Sequence, residues 1–397
     1  MISCQKVDFI EDGLESIYEY QLSRIRSLKS KFDSSDTEYI PNLIFMHMSD
    51  THCTETNYHA SFKKSIELFN MVSEGELNNG NFLKFILHTG DVRNSQFSDG
   101  YGFFDVVTKG LKKNIYVTPG NHDVGNTNEV ADAGTDEAIY DQMIAPMLDK
   151  WRLNSDGVDV PHVKGKNYYF NDFTDEKIRL IVLYEYETDF ELNATDASKL
   201  KYNRGVRAFS QKQIDWFIQT LKNTPQGYGV IIAKHQPESV NGFTDNPFYS
   251  DLLKETVKMQ SYCGSELIAQ IVQAFIDRTV YKSSIHQTGG IVITLNVDAD
   301  FSNLSSSEFI CYCSGHTHLD MITRLKYYPN QIELNIGPNN THYTNGTDIV
   351  QNGEGVTGIL TNICSIDRNE GLIHIVRLGA DLSNMGQLRE FVSLKYR

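Results

Sequence analysis

Apolar residues along this chain gather into short runs that break off abruptly into polar, histidine-bearing turns. Leu43-Ile44-Phe45-Met46-His47-Met48 gives way to Ser49-Asp50-Thr51-His52, and Leu83-Lys84-Phe85-Ile86-Leu87 to His88-Thr89-Gly90-Asp91. Asn114-Ile115-Tyr116-Val117-Thr118 passes through Pro119 into Gly120-Asn121-His122-Asp123. Gly229-Val230-Ile231-Ile232-Ala233 ends in Lys234-His235, and Phe309-Ile310-Cys311-Tyr312-Cys313 in Ser314-Gly315-His316-Thr317-His318. Each run has the length and the turn-forming boundary of a buried strand.

Helical periodicities lie between and around these runs. Residues 13–32 carry one stripe (Leu14, Ile17, Tyr18, Leu22, Ile25, Leu28, Phe32), and residues 58–72 carry Phe62, Ile66 and Phe69 at helical spacing. Further helices are predicted near 101–110 and over 136–152. Over 209–221, Ser210 and Gln213 form a capping box ahead of Ile214, Phe217, Ile218 and Leu221. A strongly amphipathic helix over about 265–281 carries Leu267, Ile268, Ile271, Val272, Phe275, Ile276 and Val280. Additional strands are predicted at Tyr168–Phe170, Ile178–Leu183, Ile291–Leu295, Gln331–Ile336, Gly358–Ser365 and Leu372–Leu378. Strands alternating with helices predict an α/β architecture.

No repeat, low-complexity tract or linker divides the 397 residues, so a single domain over 1–397 is expected. It would carry an N-terminal helical arm at about 8–33 and an insertion at about 236–308. Because that insertion leaves the chain just after His235 and returns just before His316, it is expected to form a wall or lid over the site. The alternative is that its helix merely extends an outer helical layer.

A net charge of −15 disfavours long nucleic acid as a partner and leaves small phosphate esters open. The N-terminus lacks the apolar stretch of a secretory leader, and no run is long enough to span a membrane. Six cysteines without a disulfide-type spacing read as free thiols of a reducing compartment, so a cytoplasmic protein is expected, its oligomeric state open.

Six of the twelve histidines sit in the five strand exits, beside carboxylates and an asparagine. Carboxylate oxygen, imidazole nitrogen and amide oxygen are the donors that hold hard and borderline cations. On an extended segment Asp50 and His52 would point the same way and grip one ion together. His316 and His318 share that spacing, whether they serve one ion or two.

Read in order, the exits spell D-x-H, G-D, G-N-H-D, H and G-H-x-H, a succession that resembles the calcineurin-like metallophosphoesterase superfamily. The resemblance runs from Asp50 to His318, about two thirds of the chain. It implies a four-layer α-β-β-α sandwich of two mixed sheets and two divalent metal ions, with Mn, Fe and Zn the candidates. By position it places Asp50, His52, Asp91 and His318 around the first metal and Asp91, Asn121, His235 and His316 around the second, with Asp91 bridging. His122 falls at the catalytic, unligated histidine, and His88 matches no ligand position. The implied activity is hydrolysis of a small phosphate ester, monoester or diester, by a metal-bound hydroxide. A metal-dependent nuclease and a catalytically silent binding protein on the same fold are the alternatives.

Two neighbours of these blocks carry separate expectations. Where many family members place an aspartate three residues after the bridging one, this chain has Asn94, which favours an imidazolium less. Arg93 is read as an exposed loop residue and Cys53 as a spare loop cysteine.

Overall fold

The computed structural model describes residues 40–53, 59–74, 83–93, 109–124, 136–145, 147, 165–187, 208–238, 266–288, 292–304, 306–318, 321–325, 327–337, 339, 359–379 and 391–397. The helix expected at 13–32, residues 101–108 of the helix expected near 101–110, Asn94 and the stretch 239–265 lie outside the described residues, and Lys109 and Gly110 form a turn.

Three predicted runs form parallel neighbours: β1 (Leu43–Met48), β2 (Phe85–His88) and β3 (Asn114–Val117). Antiparallel strands β12 (Leu360–Asp367), β13 (Leu372–Gly379) and β14 (Phe391–Lys395) continue this sheet beyond β1, in the order β14-β13-β12-β1-β2-β3. A second sheet runs β10-β11-β9-β6-β5-β4. Its strands are β4 (Tyr169–Phe173), β5 (Ile178–Val182), β6 (Gly229–Ala233), β9 (Glu308–Ser314), β10 (Met321–Arg324) and β11 (Ile332–Asn335). Both sheets are mixed, and a separate antiparallel pair joins β7 (Val280–Thr288) to β8 (Val292–Asp300).

Side chains alternate across a strand, so a run that is apolar throughout must be covered on both faces. The second sheet sorts its residues in this way. Ile178, Leu180, Val182, Ile231 and Ala233 join the core shared with the first sheet, while Ile181, Leu183, Val230 and Ile232 join an outer core. Helices α3 (Gln211–Lys222) and α4 (Leu267–Asp277) supply the outer core with Phe217, Leu221, Ile271 and Phe275. On the far side α1 (His59–Glu74) turns Phe62, Ile66 and Phe69 onto the first sheet. Helix, sheet, sheet and helices thus make the expected four-layer sandwich. Between the sheets Phe85 stacks on Phe45 at 5.0 Å and on Phe173 at 4.8 Å, joining the two layers.

Several local expectations change. Ser210 caps α3 by accepting from the Gln213 N–H, but the Gln213 side chain does not reach back. It bonds both Tyr184 backbone groups and Glu187, and Glu187 takes the Ser210 N–H instead. The fourth predicted helix opens as α2 (Asp136–Ile139) and passes into a π-helical turn, Tyr140–Ile144. Helix α4 stops at Asp277 because Arg278 takes a left-handed φ of 57°, and Val280 starts β7 with 49% exposure. The apolar stripe of α4 faces the second sheet and α3, so this helix extends the outer layer, which was the alternative reading. Among the described residues no helix is long and apolar enough to cross a membrane.

Phe85→Ala should cost about 3–5 kcal/mol of folding free energy, because it empties the contact that joins the sheets. Urea unfolding measures this, and a loss below about 1 kcal/mol would contradict the stacked core.

Candidate metal centre

All five polar exits leave the carboxyl ends of β1, β2, β3, β6 and β9. They do not leave as extended chain. Asp50 (φ 52°), His52 (φ 43°), Asp91 (φ 52°), His316 (φ 69°) and His318 (φ 57°) are left-handed, and only two other described non-glycine residues are. Each such residue costs on the order of 1–3 kcal/mol and persists only where its surroundings enforce it. The expected extended Asp50–His52 segment is therefore replaced by a chain that turns at both residues. Their side chains still converge, with His52 Nε2 3.9 Å from Asp50 Oδ1.

Backbone bonds hold the turns against one another. The Asp50 and His52 N–H groups donate to Gly90 O and Asp91 O, each at 2.9 Å. Asp123 accepts from the N–H groups of Gly120 (2.7 Å), Arg93 (3.1 Å) and Val92 (3.3 Å), fastening the third exit to the second. Arg93 is accordingly not an exposed loop residue: it is buried, and its guanidinium donates to Asp123 O. Cys53 is likewise buried, its N–H bonded to Val92 O. His88 accepts the Gly90 N–H at Nδ1, which leaves Nε2–H to meet Thr51 Oγ1 at 3.1 Å. Sequence reasoning missed Asp123 and His88 as organisers, although both stand inside the blocks it singled out.

Glycine is required where the turns touch. Gly90 has a φ of 99°, and a Cβ there would overlap the His235 ring. At Gly120 a Cβ would overlap the Asp91 carboxylate and backbone nitrogen.

Both buried carboxylates are used in the same divided way. Asp91 Oδ1 accepts the His122 N–H at 2.8 Å, while Oδ2 faces His235 Nε2 at 3.2 Å and His52 Nε2 at 3.9 Å. Asp50 Oδ2 accepts the His316 N–H at 3.0 Å. Asp50 Oδ1 has no hydrogen-bond donor, although it is buried and lies 3.2 Å from His318 Nε2. Around these oxygens the histidine nitrogens crowd together: His52 Nε2 and His318 Nε2 are 3.1 Å apart, and His316 Nδ1 and His235 Nε2 are 3.2 Å apart. Asn121 Oδ1 sits 2.9 Å from His316 Nδ1 and 3.1 Å from His235 Nε2.

The electrostatics match that crowding. Burial holds His52 and His316 at pKa values of about 3, leaving both rings neutral with a lone pair to offer. Burial opposes a charge on His235 as well, but Asp91 and then Asp50 overcome it and raise that ring to about 10. His235 Nδ1 lies 2.7 Å from Thr89 O, which fixes Nδ1–H and turns Nε2 inward. For Asp50 and Asp91, burial would raise the carboxyl, and the neighbouring imidazoles (His318 for Asp50, His235 for Asp91) more than cancel it. A negative potential, inward lone pairs and a buried oxygen without a donor are together what a cation relieves.

Two groups of side chains are able to hold one: Asp50, His52, Asp91 and His318, and Asp91, His235 and His316. Within each group the ligand atoms lie within 4.8 Å of one another, and Asp91 belongs to both. Asn121 adds its oxygen to the second. The structure therefore brings together all seven residues that the sequence pointed to as ligands. His122 stands beside them, its ring 4.6 Å from His52, and His88 stays in the strand-end position expected of it.

Residues 43–270 match the sequence profile of the calcineurin-like phosphoesterase family. That is more than half of the chain, which belongs to this family. Among solved structures, the chain is similar to GAP50, the anchor in the inner membrane complex of Plasmodium, at 10% identity and a TM-score of 0.43, covering 89% of each chain. It is also similar to the purple acid phosphatase PPD1 of yellow lupin, Lupinus luteus, at 9% identity and a TM-score of 0.42, covering 90% of this chain and 54% of that one. A third is the phosphopantetheinyl hydrolase PptH of Mycobacterium tuberculosis, at 13% identity and a TM-score of 0.37, covering 75% and 90%. Comparison with curated protein sequences gives no match.

Gly120→Ala should lose at least about 1–3 kcal/mol of stability, since the added methyl meets fixed backbone. It should also weaken Mn²⁺ binding by displacing Asp91. Thermal melting and a Mn²⁺ titration check both effects; an alanine variant that matches the parent in each would contradict the close approach.

Proposed function

We propose that this chain is a phosphate-ester hydrolase working at two cations that share Asp91, a reading carried by the membership of Asp91 in both ligand groups. Asp50, His52, Asp91 and His318 would hold one cation, and Asp91, Asn121, His235 and His316 the other. The donors are oxygen and imidazole nitrogen without thiolate, which suits Mn, Fe or Zn in a centre that keeps positions open. When bound, the pair supplies water of lowered pKa and the positive charge that phosphoryl oxygens need during displacement.

The residues of the chain divide the remaining work. Backbone N–H groups hold the far oxygen of each aspartate, so the near oxygens keep their aim through turnover. Thr89 O and the Asp91 carboxylate fix the His235 ring from both ends. His122 is 26% exposed, against 8% for His52, 15% for His318 and none for Asp50 and His235. It is the site histidine that substrate meets, and it is assigned to give a proton to the departing oxygen. Among the described residues His122 Nδ1 is buried without a hydrogen-bond partner, and Asp91 Oδ2 lies 4.0 Å from its Nε2. The substrate class is a small phosphate ester in preference to long nucleic acid, given the charge of −15.

The test is turnover of a monoester, a diester, a cyclic nucleotide and a pyrophosphate under Mn²⁺, Zn²⁺ and Fe²⁺. Asp91→Ala should abolish turnover and lower bound metal more than any other ligand change. His122→Ala should keep its metal and lose roughly 10²–10⁴-fold on an alkyl phosphate, and less on an activated aryl phosphate that departs without a proton. A metal-loaded parent protein that hydrolyses none of the four substrates would refute the proposal.

A further inference from the structure

Beyond the stretch that matches the family profile, one strand binds three of the five strand exits. It is β11 with its continuation to Asn339, and its polar side chains are buried where an alternating strand would ordinarily show them to water. Glu333 accepts from Lys234 Nζ at 2.9 Å and from the Glu238 N–H at 2.7 Å, bracketing His235. The Asn339 N–H donates to Ser49 O at 2.9 Å, directly before Asp50, while its amide bonds Ser65 Oγ and the Leu360 N–H. Asn335 lies between them and serves the exit that carries two ligands.

That exit is strained in the same way as the first one. His316 and His318 are both left-handed, on either side of Thr317, whose N–H donates back to Gly315 O at 2.8 Å. Left to itself, such a turn would relax and withdraw one imidazole from each cation. Asn335 Nδ2 donates to Gly315 O and to Ser314 Oγ, and its Oδ1 accepts from Thr317 Oγ1. One carboxamide thereby grips the turn before His316 and after it, and the Ile336 N–H bonds Ser314 O from the same strand. Asn335 is 1% exposed and bonded at both its nitrogen and its oxygen, so it has little freedom to yield.

We propose that Asn335 is the positioning residue of the metal centre, holding Gly315–His318 so that His316 and His318 each face a different cation. The inference rests on the metal reading above and concerns geometry, since Asn335 bonds Gly315 O, Ser314 Oγ and Thr317 Oγ1 around the ligands. It predicts that both cations loosen together, because the turn supplies one ligand to each.

The experiment is calorimetric titration of the metal-free full chain with MnCl₂, with Co²⁺ absorption as a second readout of ligand geometry. Asn335→Ala and the nearly isosteric Thr317→Val should each weaken Mn²⁺ at both sites by about 10–100-fold, as losses of groups that orient ligands do. Thr317→Ser keeps the hydroxyl and should restore the parent affinity and the parent Co²⁺ spectrum. If Asn335→Ala does not fold, the Thr317 pair carries the test alone. Thr317→Val and Asn335→Ala proteins that bind Mn²⁺ within about twofold of the parent, whatever their melting temperatures, would overturn the proposal. A parent chain that binds no Mn²⁺ would instead overturn the metal reading itself, and the two failures are told apart by that first titration.

Discussion

Two buried carboxylates, each half-satisfied, set the terms for this end of the molecule. Asp50 and Asp91 are desolvated, and each gives one oxygen to a backbone N–H from a different strand exit. Their other oxygens face imidazole nitrogens. Uncompensated charge in such a place is expensive, and the chain offsets only part of it through His235. The strained turns, the required glycines and the crowded histidine nitrogens all follow from aiming those oxygens inward. A site so costly to assemble without a cation is a site built around one.

The sandwich makes that aim possible because it is indifferent to it. Apolar runs buried on both faces fix β1, β2, β6 and β9 firmly, and the shared core through Phe45, Phe85 and Phe173 keeps the sheets in register. Among the described residues, side chains also bond strand backbone at sheet edges. Tyr169 takes both backbone groups of Val117 in β3, and Gln211 takes both of Asn296 in β8. With the frame held elsewhere, the exits can afford left-handed residues and buried charge.

Much of this was legible in the sequence, for a physical reason. Strands buried on both faces leave uninterrupted apolar runs, so β1 and β6 have the limits that composition alone suggested, and the ligands stand directly behind them. What the sequence hides is conformation and the uses of polar residues in the core. Nothing in Asp50-Thr51-His52 announces two left-handed residues, and Gln331, Glu333 and Asn335 look like the wet face of an amphipathic strand. They are buried because their partners, Tyr312, Lys234 and the Gly315–His318 turn, lie far away along the chain. Arg93 was misjudged similarly: a loop position suggests exposure, whereas the paired turns around Asp123 enclose it. Helix α4 was placed by its period, but its period left a wall and an outer layer both open, since amphipathicity says that a face is buried without saying against what.

The central claim is that two cations share Asp91. Anomalous diffraction from crystals soaked in MnCl₂ tests it most directly. The account predicts two peaks roughly 3.5–4 Å apart, one enclosed by Asp50, His52 and His318, the other by Asn121, His235 and His316, with Asp91 against both. A single peak remote from Asp91, or none, would contradict it.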